Sequence, residues 1–277
     1  LFQQLGYEYL YAPHIERDYH VPFFESQLLQ SLVDVNPSKP QMAIDEAVSK
    51  LKNIETGSLA KRNEIFSDYL QNGIEVSYYN GKEQCNDIIY LIDYYDIHKN
   101  TFQVINQWVY VEKSEKRADI IIFVNGLPLV IIELKSPSRE NTSSSEAYRQ
   151  LKNYMHEIPS LFVYNAFCVM SDMSCSKAGT ITSNEDRYME WKTKDGSYES
   201  TEYADYDTFF EGIFIKERFL DIIKNFICFS KDDKSEAFKI LSGYHQYFAV
   251  NKAIERTKRA IETNGKIGVF WHTQGSG

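Results

Sequence analysis

Two apolar runs separated by Asn125-Gly126 constrain this chain more than any other part of its 277 residues. Asp119-Ile120-Ile121-Ile122-Phe123-Val124 and Leu129-Val130-Ile131-Ile132-Glu133-Leu134-Lys135 read as two strands folded back on each other. Strand interiors this apolar must be buried. Asp119, Glu133 and Lys135 are therefore expected where a hydrophobic sheet meets solvent, because burying ionised groups unpaired is costly. Two carboxylates converging beside an ammonium point to a metal site with a cationic helper.

Hydrolysis of a phosphodiester needs a metal to activate water and to offset charge on the phosphate. Mg²⁺ takes carboxylate oxygens at about 2.0–2.1 Å. Asp119 and Glu133 can supply them, with the Leu134 backbone carbonyl as a third ligand. Glu133 and Lys135 are two apart on a strand and so share a face. Lys135 can then orient the attacking water or stabilise developing negative charge. The turn adds a geometric condition. A tight two-residue hairpin at Asn125-Gly126 pairs Val124 with Leu127 and Asp119 with Ile132, on the opposite face from Glu133. Shared metal binding needs Asp119 opposite Glu133, hence an odd-length loop such as Asn125-Gly126-Leu127, or a bulge. It excludes the tight turn, the most obvious one.

Around this hairpin the pattern predicts a short helix at the start and an amphipathic helix over Phe24–Val33. A second helix is expected over Gln41–Thr56, with apolar residues at 44, 47, 48, 51 and 54 and Gly57 as its stop. Ser58 can cap a third helix through Leu70, ended by Asn72-Gly73. From Ile74 the period becomes that of strands, with Ile88–Tyr95 and Phe102–Val111 joining the two central runs in an antiparallel-looking series. Ser143-Ser144-Ser145-Glu146 opens a helix, with Ser143 and Glu146 at capping-box spacing. Leu161–Met170 reads as a buried strand. Residues 184–211, with nine acids against three bases, read as an exposed connection or lobe. Helices over about 215–228 and 232–262 and a buried strand over Ile267–Trp271 complete the order.

Composition limits the classes. Hydrophobic residues make up 43% and aromatics 14%, ample for a core, and the net charge of −9 counts mildly against nucleic-acid binding. It does not exclude it, since binding needs only a local basic groove. Four cysteines lack zinc or C-x-x-C spacing and read as reduced, mostly buried thiols of a cytoplasmic protein. No apolar run approaches the length of a membrane span, and no leader is evident. His14, His20, His98 and His156 show no paired metal spacing and read as structural or surface residues. Both ends look like cuts through longer elements.

Gln150 and Tyr154 lie one turn apart on the helix after Glu133-Leu134-Lys135, so they project together. An amide and a phenol suit contact with a phosphate backbone or support of the lysine. With these residues in place, Asp119…Glu133-Leu134-Lys135 resembles the PD-(D/E)xK nuclease core, and Gln150-x-x-x-Tyr154 the extra motif of its RecB-like branch. Asn125-Gly126-Leu127-Pro128-Leu129-Val130, Ile158-Pro159-Ser160-Leu161-Phe162, Tyr164-Asn165, Glu185-Asp186-Arg187-Tyr188 and Trp191 are similar to the restriction (R) subunit of type I restriction–modification enzymes. The likeness covers roughly residues 60–277. PD-(D/E)xK enzymes often add an acid from a preceding helix. Glu64 could be its equivalent, although a solvated helix face is the simpler reading.

Ile267–Trp271 followed by His272-Thr273-Gln274-Gly275-Ser276-Gly277 resembles the start of a Walker A loop, in which backbone N–H groups cradle phosphates. His272 stands where the general pattern has its first Gly, and the lysine and Ser/Thr are not within the sequence. Upstream, Tyr244-His245-Gln246 resembles the Q motif of superfamily 2 helicases, whose Gln reads adenine. Thr273 to Gly277 and Gln246 are thus a partial ATP site, expected to bind nucleotide very weakly without the lysine.

The resemblance implies an α/β restriction-endonuclease-like core, a mixed sheet flanked by helices, followed by the start of a RecA-like helicase domain. It divides the chain into a helical segment (1–57), the nuclease core (58–182), an acidic connection with a helix (183–229) and the beginning of the motor (230–277). It implies Mg²⁺-dependent cleavage of double-stranded DNA, coupled to ATP-driven translocation, with methyltransferase (M) and specificity (S) subunits choosing the site. Two alternatives remain open on sequence: a stand-alone PD-(D/E)xK nuclease, and a non-catalytic DNA-binding or subunit-docking module.

Overall fold

A computed structural model describes residues 1–135, 144–172, 175–197, 206–231, 236–263, 265–269 and 271. The first residues form hydrogen-bonded turns (Leu5 N–H to Leu1 O, 3.2 Å; Gly6 N–H to Gln3 O, 3.0 Å) in place of the expected helix. Strand β1 (Glu8–Tyr11) follows, then helices α1 (Glu25–Val35), α2 (Gln41–Lys52) and α3 (Leu59–Asn72). Ser58 caps α3 as its position predicts, its hydroxyl accepting from Lys61 N–H at 3.3 Å. Strands β2 (Ile74–Tyr79) and β3 (Gln84–Ile89) make a separate hairpin. The strand expected over Ile88–Tyr95 stops at Ile89. Beyond it the Asp93 carboxylate accepts from the amides of Tyr95 and Asp96, which turns the chain instead of extending it.

The central strands are β4 (Phe102–Val111), β5 (Glu115–Val124) and β6 (Leu127–Leu134). Helices α4 (Ser144–Glu157) and α5 (Pro159–Val163) cross over to β7 (Phe167–Ser171), followed by β8 (Ser176–Gly179). Of the buried strand expected over Leu161–Met170, only Phe167 onward is strand: Pro159 starts α5, which runs to Val163, and Asn165 then holds the turn by donating to the carbonyls of Leu129 and Phe167. Together they form a mixed six-stranded sheet in the order β1-β4-β5-β6-β7-β8, parallel at β1/β4 and β6/β7 and antiparallel elsewhere. Ser143 lies outside the described residues, so its capping role is not described.

The sheet is covered on both faces, which explains why β5 and β6 read as nearly continuous apolar runs. Ile121, Phe123 and Ile131 pack with Ala147, Leu151 and Tyr154 of α4. Ile122, Val124, Val130 and Ile132 pack with Leu28 and Leu32 of α1, and with α6 (Tyr206–Phe214) and α7 (Lys216–Asn225). The acidic stretch is therefore not a wholly exposed connection. Its outer parts are anchored, with Trp191 buried against Gly212 and with Phe209 and Phe210 inside the core.

The helix expected over 232–262 is instead a hairpin, β9 (Ile227–Lys231) and β10 (Ala237–Leu241), leading into α8 (Tyr244–Ile261). β10 is fastened to the core by a buried lysine. Lys239 Nζ donates to Asn63 Oδ1 at 2.9 Å and to the Asn165 carbonyl at 2.8 Å. Asn63 Nδ2 in turn donates to the carbonyls of Phe162, Val163 and Asn165. The strand expected over Ile267–Trp271 is not formed among the described residues. Ile267, Val269 and Trp271 are exposed. Cys168 is buried, whereas Cys85 and Cys175 are half-buried and Cys228 is exposed, so the thiols are less buried than composition predicts.

Candidate active site

The hairpin between β5 and β6 sets the site's geometry. Val124 pairs with Leu127 and Phe123 with Pro128, so the tight Asn125-Gly126 turn does form. Its two central residues have φ of 52° and 77°, the left-handed pair that such a turn demands. Asn125 is fully buried and wired in place. Its side chain donates to Leu91 O at 2.9 Å and accepts from Thr101 N–H at 2.8 Å. Gly126 is required twice over, since a Cβ there would lie 2.5 Å from Phe24 O and from Leu28 N of α1.

Then the register shifts. Ile122 pairs with Val130, Ile121 with Ile131 and Ile120 with Ile132, so one extra residue on β6 is absorbed between Pro128 and Val130. This is a β-bulge, beside the one residue that has no N–H to give the ladder. Carried one residue further, the new register sets Asp119 across from Glu133. The tight turn and the shared face coexist: the expected exclusion was wrong about the turn, and the bulge supplies the parity.

Glu133 is 1% exposed, and its Oε1 accepts from Lys135 Nζ at 2.9 Å. Its Oε2 is buried with no hydrogen-bond partner. Burial, then the Asp119 charge, push the Glu133 carboxyl up to about 8, against the pull of Lys135. Asp119 is half-buried, and its Oδ2 accepts from the Leu134 amide at 2.9 Å. Lys135 Nζ also donates to Gln150 Oε1. Gln150 Nε2 donates to the Tyr154 hydroxyl at 2.6 Å, and that hydroxyl donates to Arg117 O at 2.9 Å. Because the phenol spends its proton on Arg117, it can only accept from Gln150. That fixes the amide with its oxygen towards Lys135. Burial raises the Tyr154 phenol to about 12, so it stays a donor.

The structure thus brings Asp119, Glu133, Lys135, Gln150 and Tyr154 into one hydrogen-bonded cluster on the α4 side of the sheet. Leu134 contributes its N–H to Asp119. Glu64 is elsewhere: it pairs with Lys61 at 2.7 Å and lines a groove with Asp68, Gln71 and Ile227 to Phe229. Gln246 accepts from Gly243 N–H at 3.0 Å and so caps α8. Thr273, Gln274, Gly275, Ser276 and Gly277 lie outside the described residues. His14, His20, His98 and His156 are all exposed. Sequence reasoning missed Tyr9, Asn106 and Gln107, which line a groove with Asp119 and Lys135. No spacing marks them, since β1 reaches β4 only through the fold.

The donor set suits a hard divalent cation. Two carboxylates face each other, one with a buried oxygen that lacks any partner, and a cation between them would satisfy both. Among the described residues no group of three or more His, Cys, Asp or Glu side chains gathers as a metal cluster. Two carboxylates are enough to hold a divalent cation that keeps most of its waters.

Comparison with known proteins decides the family. The family model described as Type I restriction enzyme R protein N terminus matches residues 1–187. The chain belongs to that family. Its match begins at residue 1, earlier than the motifs alone indicated. A SWI2/SNF2 ATPase model matches residues 245–277 of this R-protein chain. The HindI type I restriction enzyme endonuclease subunit of Haemophilus influenzae is 35% identical over 99% of the chain. A putative counterpart from Methanocaldococcus jannaschii, MjaIXP, is 28% identical over 99%. The chain spans 28% and 29% of the lengths of these two relatives. The EcoprrI endonuclease subunit of Escherichia coli is 27% identical over 89% of the chain and 86% of its own length. Among the described residues no helix is long and apolar enough to cross a membrane.

Proposed function

We propose that this chain is the nuclease part of a type I restriction enzyme R subunit, with a PD-(D/E)xK site that cuts double-stranded DNA. The observation that carries this is the bulge-set register, in which Ile120 pairs with Ile132 and the next position brings Asp119 across from Glu133, beside a lysine held by Glu133 and Gln150. Asp119, Glu133 and the Leu134 carbonyl would hold Mg²⁺, which when bound supplies Lewis acidity at the scissile phosphate. Lys135 is aimed by two acceptors and is placed to donate to a phosphate oxygen as charge builds there. Gln150 and Tyr154 are positioning residues: Gln150 accepts from that ammonium and Tyr154 orients the Gln150 amide.

In the larger protein, ATP-driven translocation would belong to the motor that begins near residue 230, after the nuclease core and the acidic connection. The SWI2/SNF2 match supports this, and Gln246 with Thr273 to Gly277 would form part of the ATP site. M and S subunits would select the DNA site.

Nicking of supercoiled plasmid by the assembled enzyme, measured against Mg²⁺ concentration, is the test. Asp119→Ala should abolish cutting, and Lys135→Ala should slow it about a hundredfold or more, with ATP hydrolysis retained in both. Metal-dependent cutting by Asp119→Ala would favour the docking-module alternative for this site.

A further inference from the structure

We propose that Gln107 is a DNA-contacting residue of this site, its amide hydrogen-bonding the sugar–phosphate backbone beside the scissile bond. The proposal rests on the nuclease reading of Asp119 and Glu133. Strand β4 pairs Asn106 with Ile120 and Trp108 with Ala118 of β5. Gln107 therefore stands across from Asp119, as Glu133 does on the other side. Three polar residues lie abreast on the three central strands of an otherwise apolar sheet. The Gln107–Asp119 position is also the single gap in the β4–β5 ladder between Phe102 and Val111.

The gap has a backbone cause. Gln107 has φ of 59°, left-handed geometry in the middle of a ten-residue strand. Among the described residues Asn125 is the other non-glycine with positive φ, and its tight turn requires it. Gln107 has neither a turn nor a register shift, since the pairs on both sides keep step. What changes is the face: Ile105 and Trp108 lie in the same apolar cluster, so the left-handed residue sends Trp108 into the core and leaves Gln107 at the groove. Such strain persists only where the surroundings enforce it, and it concentrates at functional sites.

The side chain is available. Gln107 is half-buried, yet its amide makes no hydrogen bond among the described residues. It lines a groove of about 590 Å³ with Asp119, Lys135, Asn106, Tyr9 and Gln3. The Tyr9 hydroxyl donates to Asn106 Oδ1 at 3.1 Å and stiffens that wall. A lysine or arginine at position 107 would be drawn into an ion pair with Asp119. A neutral amide is not, so its donors stay free for phosphate and sugar oxygens.

The test is cleavage by the assembled enzyme carrying Gln107→Gly, Gln107→Asn or Asp119→Ala, with the melting temperature of each R subunit. Glycine removes the amide and relaxes the left-handed backbone. Cleavage should fall about tenfold, the effect of one hydrogen bond, while the melting temperature holds or rises. Asparagine keeps an amide and tolerates positive φ, so it should retain most of the cleavage. Undiminished cleavage by Gln107→Gly, with Asp119→Ala dead, would overturn the proposal alone. So would a loss of cleavage that follows a lowered melting temperature. Cutting by Asp119→Ala would instead sink the site reading on which the proposal stands.

Discussion

Glu133 shows how one residue can be legible in identity and hidden in consequence. Its place after an apolar run, two residues before Lys135, marks it as a strand-end acid from sequence alone. That it is 1% exposed, with one oxygen unpartnered, follows only from the α4 layer above it and Asp119 beside it. Lys239 is the opposite case. Nothing in Ala237-Phe238-Lys239-Ile240-Leu241 marks its lysine as buried, because Asn63 and Asn165 reach it from distant parts of the chain. Burial pulls its ammonium down to about 7 from the ordinary 10.5. Between those values the unfolded chain binds the extra proton, so stability should rise with pH across that window. Below about 7 the full penalty remains. The slope is at most about 1.4 kcal/mol per pH unit. Lys239→Met should flatten the rise in melting temperature between pH 7 and 9. A variant whose melting temperature climbs as steeply as the parent's would show that Lys239 does not cause it.

At the scale of elements, the strands nearest the site were the most legible, because burial on both faces leaves an unmistakable apolar run. The bulge in β6 was not. Period-two patterning gives which residues alternate, but a single absorbed residue changes parity without changing composition, and Pro128 is its one visible trace. β10 was misread as helix for a related reason: five residues are too short to show a period, and Lys239 reads as surface, so helix formers around it dominate the pattern. Gly126 is the element's weak point. Gly126→Ala must place a Cβ 2.5 Å from the backbone atoms Phe24 O and Leu28 N at a φ of 77°. We expect destabilisation of about 1–3 kcal/mol or more, read as a lower urea midpoint, with cleavage falling in parallel. An unchanged midpoint would show that α1 yields freely and that the turn does not hold the β5–β6 register.

Across the whole molecule, Phe2, Phe66, Ile122, Phe210 and Tyr247 belong to one apolar cluster, so the sheet that carries the site is packed against distant parts of the chain. Family membership was legible because short strings such as Asn125-Gly126-Leu127-Pro128 and Tyr164-Asn165 occupy buried, over-determined positions. The groove beside Asp119 was not, since it is assembled from β1, β4 and β5. The central claim is that one metal sits between Asp119 and Glu133. Replacing Mg²⁺ by Fe²⁺ in the assembled enzyme, then adding ascorbate and peroxide, cuts the polypeptide next to the bound ion. The account predicts fragments ending close to Asp119 and to Glu133–Lys135, both lost in Asp119→Ala. Cuts elsewhere, or cuts that survive that substitution, would contradict it.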